Sequence, residues 1–396
     1  MKKLLAIFTI LFLTAAVSFA ASLSIGGRAF CVAQVVGNSE KGVGEKVDEP
    51  WTNWNDDIRL LFMLNNDEGT AGAAFRLTGT VWKPINVNWF QAWWQPIPML
   101  YFSMGKIQEL RRYNPEPAKL EWGVVGINEA SDMGFIQFVP WETYQGIGPH
   151  NDNIYAQLKA ASDRVGMQLS VIPIEDVHVT FVWNGFETDP YTKDRASLQN
   201  VLLDKMGVNV SYTNPFGGQA SFFFNNAVKG ETKKIGLMYT QQILNPLYAE
   251  ATMLLPLPDK GDIPFIGAGI GMSYKFSSQF KLNARAAAEI SLIDVLEVYD
   301  AAGALMSGHN TKIGFDIAPS FEIDWSLKAH LHLGYAMDLD AELIGWSICP
   351  YIVKDAGWVS LWAGFKIWRE NAGTFKKKNG DPSISWAVPV GLMLNF

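Results

Sequence analysis

FKLNARAAAEISL, residues 280–292, carries seven apolar side chains at alternate positions: Phe280, Leu282, Ala284, Ala286, Ala288, Ile290 and Leu292. The positions between them hold Lys281, Asn283, Arg285, Ala287, Glu289 and Ser291. A strand sends alternate side chains to opposite faces, so this stretch has one apolar face and one charged face. It is also longer than the ~5–6 residues usual for strands of soluble proteins. A charge facing lipid at mid-depth costs about 2–4 kcal/mol for Arg or Lys. If the apolar face meets a bilayer, Lys281, Arg285 and Glu289 must face inward. Their spacing of four residues along the strand predicts charges held apart in water rather than tight ion pairs.

The same alternation recurs along the chain. TKIGFDIAPSFEI (311–323) sets Lys312 and Asp316 against isoleucines and phenylalanines, and SLKAHLHLGYAM (326–337) sets Lys328, His330 and His332 against leucines. The closing stretch AVPVGLMLNF places Val388, Val390, Leu392, Leu394 and Phe396 on one face. Of the residues, 48% are hydrophobic, yet no run past residue 20 has the ~18 apolar residues that a spanning helix needs. Lipid admits only helices and closed barrels, because every backbone polar group must be satisfied within the protein. The expected fold is therefore all-β, a closed antiparallel transmembrane β-barrel of 16–18 strands. Eighteen segments read as strands, from 22–36 to 383–396. Their connections alternate between tight turns, such as NPFGG (214–218), and long loops, such as 37–54 and 293–310. Tryptophans 82, 89, 93, 94, 183, 346, 358, 368 and 386 near segment ends are read as two interfacial girdles.

The N-terminus, MKKLLAIFTILFLTAAVSFA, pairs Lys2 and Lys3 with an apolar run and small residues up to Ala20, the layout of a cleaved signal peptide (1–20). The remainder, 21–396, is expected to be one barrel. It carries 30 basic and 39 acidic residues once Lys2 and Lys3 are removed, a net charge of −9. That balance argues against a nucleic-acid partner. Two cysteines, Cys31 and Cys349, do not make a disulfide framework.

Taken together, the terminal strand with its closing Phe396, the leader and the loop alternation resemble bacterial outer-membrane porins. LYFSMGK (100–106) stands where the fifth porin strand falls, and Gly105–Lys106 matches the Gly-basic step porins often carry there. The resemblance implies insertion in the bacterial outer membrane among its lipids. It also implies assembly by the barrel-assembly machinery through residues 388–396, passage of small solutes or ions, and a possible homo-oligomer. The 57-residue stretch at about 108–164 then takes the place of an inward-folded constriction loop.

Candidate pore-lining residues are Arg28, Arg59, Arg76, Lys281, Arg285, Glu289, Asp316, Lys328, His330 and His332, with Glu129 and Asp132 facing them from the long stretch. Opposed charges across a narrow pore orient polar solutes and set ion preference. Phe135, Ile136 and Phe138 are candidate apolar anchors for that stretch against the wall. His330 and His332 share a face, but no other histidine or cysteine lies beside them in sequence, so no metal is assigned. No cofactor and no enzymatic constellation is assigned either. The competing readings are a transporter of hydrophobic, fatty-acid-type substrates and a surface-exposed binding barrel.

Overall fold

The computed structural model describes residues 22–37, 54–80, 83–106, 135, 165–184, 206–225, 234–256, 264–292, 298–299, 305–306, 311–339, 343–369 and 384–395. Every regular element among them is a strand. The first nine are β1 (Ser22–Gly37), β2 (Trp54–Asn65), β3 (Ala71–Thr80), β4 (Lys83–Ile97), β5 (Leu100–Lys106), β6 (Val165–Ile174), β7 (Val177–Asn184), β8 (Met206–Thr213) and β9 (Gln219–Asn225). Next come β10 (Lys234–Leu244), β11 (Leu247–Pro256), β12 (Phe265–Lys275) and β13 (Phe280–Ser291). A two-residue hairpin, β14 (Val298–Tyr299) and β15 (Leu305–Met306), forms a sheet of its own. The wall resumes with β16 (Thr311–Glu322), β17 (Leu327–Asp338), β18 (Leu343–Asp355), β19 (Val359–Gly364), β20 (Lys366–Arg369) and β21 (Ile384–Asn395).

β19 and β20 are one strand interrupted at Phe365, whose N–H still donates to the Pro350 carbonyl. The wall therefore has 18 strands, each antiparallel to its neighbours, and β21 pairs with β1 to close it. The pairing slips by one residue between Gln34 and Val36, opposite Pro389. Proline has no N–H for the ladder, and a bulge is where a sheet accommodates one. Connections at one end run to two to five residues: 66–70, 98–99, 175–176, 214–218, 245–246, 276–279, 323–326 and 356–358. Of the expected 16–18 strands the structure has 18, with Lys83–Ile97 and Leu100–Lys106 both in the wall.

Alternation decides what each face meets. On β13, Asn283, Arg285, Ala287, Glu289 and Ser291 are buried while Ala288 and Ile290 are exposed. On β21, Val390, Leu392 and Leu394 are exposed and Ala387, Pro389 and Met393 are buried. Phe396 lies outside the described residues. Exposed Leu23, Ile25, Leu237, Ile266, Ile270, Phe315, Ile317, Ile348, Ile352 and Leu361 continue this apolar exterior around the barrel. No soluble surface is that continuously apolar, so the exterior is a lipid-facing surface.

Trp94, Phe216, Tyr274, Phe276, Trp325 and Trp358 are exposed around the short-turn end. Trp183, Trp346 and Trp386 lie outward near the opposite rim. These form the two aromatic belts. Trp93 and Trp368 do not belong to them. Both are buried and face inward, correcting the girdle assignment. The reason is strand parity: Trp368 shares a face with Lys366, and Trp93 lies across Gly72, where any Cβ would sit 2.4 Å from its ring. Trp82 and the Trp89 side chain fall outside the described residues.

Candidate functional site

The inner wall collects the polar chemistry of the chain, and its sectors differ. Arg28, Arg59 and Arg76 lie on adjacent strands β1, β2 and β3. Arg28 stands directly opposite Arg59, and Arg76 sits two residues along β3 from Thr78, the partner of Arg59. The Arg28 guanidinium lies 5.7 Å from the centre of the Phe30 ring. These three candidates are thus brought together as a basic ladder.

From β11 to β18 the wall is ionic. Arg285 is in register with Asp316 on one side and Gly271 on the other. Its guanidinium nevertheless reaches past β12 to Glu250 on β11, with Nε donating to Oε1 at 2.8 Å and a second, shorter contact from Nη2. Both side chains are fully buried. The route is open because β12 presents Gly267, Gly269 and Gly271 inward. A Cβ on Gly269 would lie 2.8 Å from the Glu250 carboxylate. The expectation of isolated, hydrated charges on β13 is corrected here. Spacing along one strand says nothing about a partner two strands away.

Glu289 approaches Lys312 at 3.8 Å, and Lys312 stands opposite Asp338. Nε2 of His332 lies 3.6 Å from Oδ1 of Asp316, with both side chains buried. Lys328 pairs with Asp355 at 3.3 Å, and Lys281 lies near the short-turn end, opposite Lys275 and Ser320. His330 stacks on Tyr351, ring centres 4.7 Å apart. Sequence reading missed Glu250. The signal was present: in LYAEATMLL the single acid shares a face with Tyr248 and Thr252, opposite Ala249, Ala251 and Met253. The two cysteines are not joined in a disulfide: Cys31 lies on the outward face of β1 and Cys349 is buried on the inner face of β18.

Between β5 and β10 the wall is neutral. Ser103 donates to Gln168 at 3.4 Å, Gln168 donates to Ser170 at 3.0 Å, and the Ser170 and Thr180 hydroxyls lie 3.0 Å apart. Asn209, Ser211, Gln219, Ser221 and Thr240 extend this buried belt over β8, β9 and β10.

The last sector is apolar. Phe30, Val32, Tyr351, Val353, Trp362 and Met393 form a cluster on the inner faces of β1, β18, β19 and β21, and Phe135 is buried in it. The Phe135 ring centre lies 5.6 Å from that of Trp362 and 6.2 Å from that of Tyr351. Gly364 makes the seat: a Cβ there would meet the Phe135 ring at 3.0 Å and Tyr351 at 2.9 Å. Glu129, Asp132, Ile136 and Phe138 lie outside the described residues.

No family model and no curated protein matches the sequence. Solved structures do resemble the chain. One is an anion-selective porin from Comamonas acidovorans, at a TM-score of 0.49 and 11% identity over 95% of this chain and 100% of that one. Another is the outer membrane channel DcaP of Acinetobacter baumannii, at 0.43 and 10% over 95% and 98%. A double mutant of Rh. blastica porin gives 0.46 and 14% over 95% and 100%. These are likenesses in the course of the chain; function is read from this chain's own residues.

Chemically, the inner wall offers fixed cations, fixed anions, neutral donors and acceptors, and several apolar and aromatic clusters. Among the described residues no group of three or more His, Cys, Asp or Glu is placed to hold a metal ion. His330 is engaged with Tyr351 and His332 with Asp316.

Proposed function

We propose that the protein is an outer-membrane porin, a passive diffusion channel for small hydrophilic solutes or ions. One observation carries this reading: the closed 18-strand wall is apolar outside and lined inside by Arg28, Arg59, Arg76, Arg285, Glu250, Asp316 and the neutral belt. Barrels of 16–18 strands leave an aqueous lumen unless loops fill it. A carrier of hydrophobic substrates would turn an apolar lining to its cargo. Here the described apolar clusters, around Phe135, Trp93 and Phe223, are separated by charged and neutral polar rows. In this reading residues 1–20 direct export, and the stretch at about 108–164 folds inward with Phe135 as its anchor, where Glu129 and Asp132 face the basic wall. Residues 388–396 serve as the assembly signal. Single-channel recording in planar bilayers tests the reading. Stepwise conductance that scales with salt is expected; an electrically silent, correctly folded barrel would overturn it.

A further inference from the structure

Lys366 on β20 faces inward with 5% of its surface exposed. Arg285, Lys312 and Lys328 each have a carboxylate within 4 Å, supplied by Glu250, Glu289 and Asp355. Lys366 has no such partner among the described residues. Its ammonium lies 5.1 Å from the centre of the Trp368 ring, two residues further along the same strand. Ring attraction offsets part of the desolvation of a cation, but a buried charge is ordinarily balanced by an opposite one.

The register supplies what surrounds it. Trp368 stands opposite Ser347 on β18 and opposite Ser385 on β21. Both serines are buried on the inner face. The Ser347 hydroxyl has no hydrogen-bond partner. The two serines therefore flank Trp368, over whose ring the ammonium lies, from both neighbouring strands, each about 4.8 Å away at the backbone. Ala387, directly opposite Lys366, is itself fully buried and brings no polar group to the ammonium. Cys349, buried on the same inner face of β18 two residues from Ser347, is the nearest thiol to consider as an alternative partner. The row lies close to mid-height: Cys349 is the central residue of β18.

We infer that Lys366, Ser347 and Ser385 form a subsite for one small monovalent anion, a carboxylate or a halide, on the lumen wall. One fixed positive charge and two hydroxyl donors match a single negative charge with two or three acceptor directions. The inference rests on the channel reading for its access from water, and its test is arranged to fail separately from that reading.

Potassium acetate is titrated into the folded barrel in detergent, and tryptophan fluorescence is followed against a Trp368→Phe control. A saturable change lost in Trp368→Phe and Lys366→Met, kept in Lys366→Arg, and weakened about two- to tenfold in Ser347→Ala supports the site. Lys366→Met removes a buried charge without a carboxylate partner, so it should fold. Heat-modified gel mobility checks this, and Ser347→Ala carries the test independently. Cys349→Ser should leave acetate binding unchanged; a marked gain in affinity there would make the thiolate the true counter-ion and overturn the proposal. Absence of a saturable change in the wild type, or its persistence in Lys366→Met, also overturns it. In bilayers under a potassium chloride gradient, Lys366→Met should lower chloride permeability relative to potassium severalfold. If the wild type is electrically silent the channel reading falls, while the acetate titration still decides the site.

Discussion

From β5 to β7 the inner wall is held by neutral side chains that hydrogen-bond to their neighbours, whereas from β11 to β18 charges reach across strands. Ser103, Gln168, Ser170 and Thr180 hand hydrogen bonds from one strand to the next, so each group is satisfied at short range. Arg285 and Glu250 meet over an intervening strand only because Gly269 and Gly271 clear the way. The neutral belt has many small contributions and tolerates the loss of any one. The ionic sector concentrates its energy in a few buried pairs, where removing one partner strands the other.

The sharpest way to break that contrast is Arg285→Met. It removes the guanidinium from the fully buried Glu250 carboxylate, at an expected cost of about 3–5 kcal/mol. Arg285→Met combined with Glu250→Gln should recover most of it. Urea unfolding in detergent measures both, and a double mutant as unstable as the single would refute the pairing.

The next effect separates the two faces of β13. Ala286→Arg puts a charge on the lipid face at about 2–4 kcal/mol near mid-depth. Ala287→Arg, on the inner face between Gly269 and Gly314, should insert in higher yield. Equal yields in liposomes would contradict the register. In the neutral belt, Thr180→Val should cost about 1 kcal/mol, the worth of one hydrogen bond. A loss as large as that of Arg285→Met would erase the distinction between the sectors.

Strand number, faces and end-to-end loop asymmetry were legible because period-two alternation is strictly local, and each segment announces its own two faces. The inward set Arg28, Arg59, Arg76, Lys281, Arg285, Glu289, Asp316, Lys328, His330 and His332 followed from parity alone. Pairing was not legible. Whether Arg285 meets Asp316 or Glu250 depends on the register of three strands and on which of them presents glycine. Trp93 and Trp368 were misread because proximity to a segment end was weighed above parity. Trp368 is two residues from Lys366, and that spacing already placed it inside.

The smallest effect lies outside the membrane, in the turn between β16 and β17. The Asp324 carboxylate accepts the Ser326 N–H at 2.7 Å, the Ser326 hydroxyl at 2.8 Å and the Leu327 N–H at 2.8 Å. Lys354 stands 3.8 Å away and donates to the Ser326 hydroxyl at 2.5 Å. The Ser326 backbone N–H, then its hydroxyl, hold the Asp324 carboxyl below the usual carboxylate range, with Lys354 a lesser contributor. A depressed acid stabilises the fold fully above its unfolded value of about 3.9, and the contribution is lost as pH falls through the lower folded value. Asn at this position keeps an acceptor oxygen but does not titrate. The difference in urea midpoint between wild type and Asp324→Asn should therefore be constant from pH 7 to pH 5. It should then shrink or reverse below about pH 4. Because the carboxylate is about half exposed and screened by solvent, this shift should be the smallest of the series. A difference that stays flat to pH 3 would show that charge at Asp324 does not hold the turn.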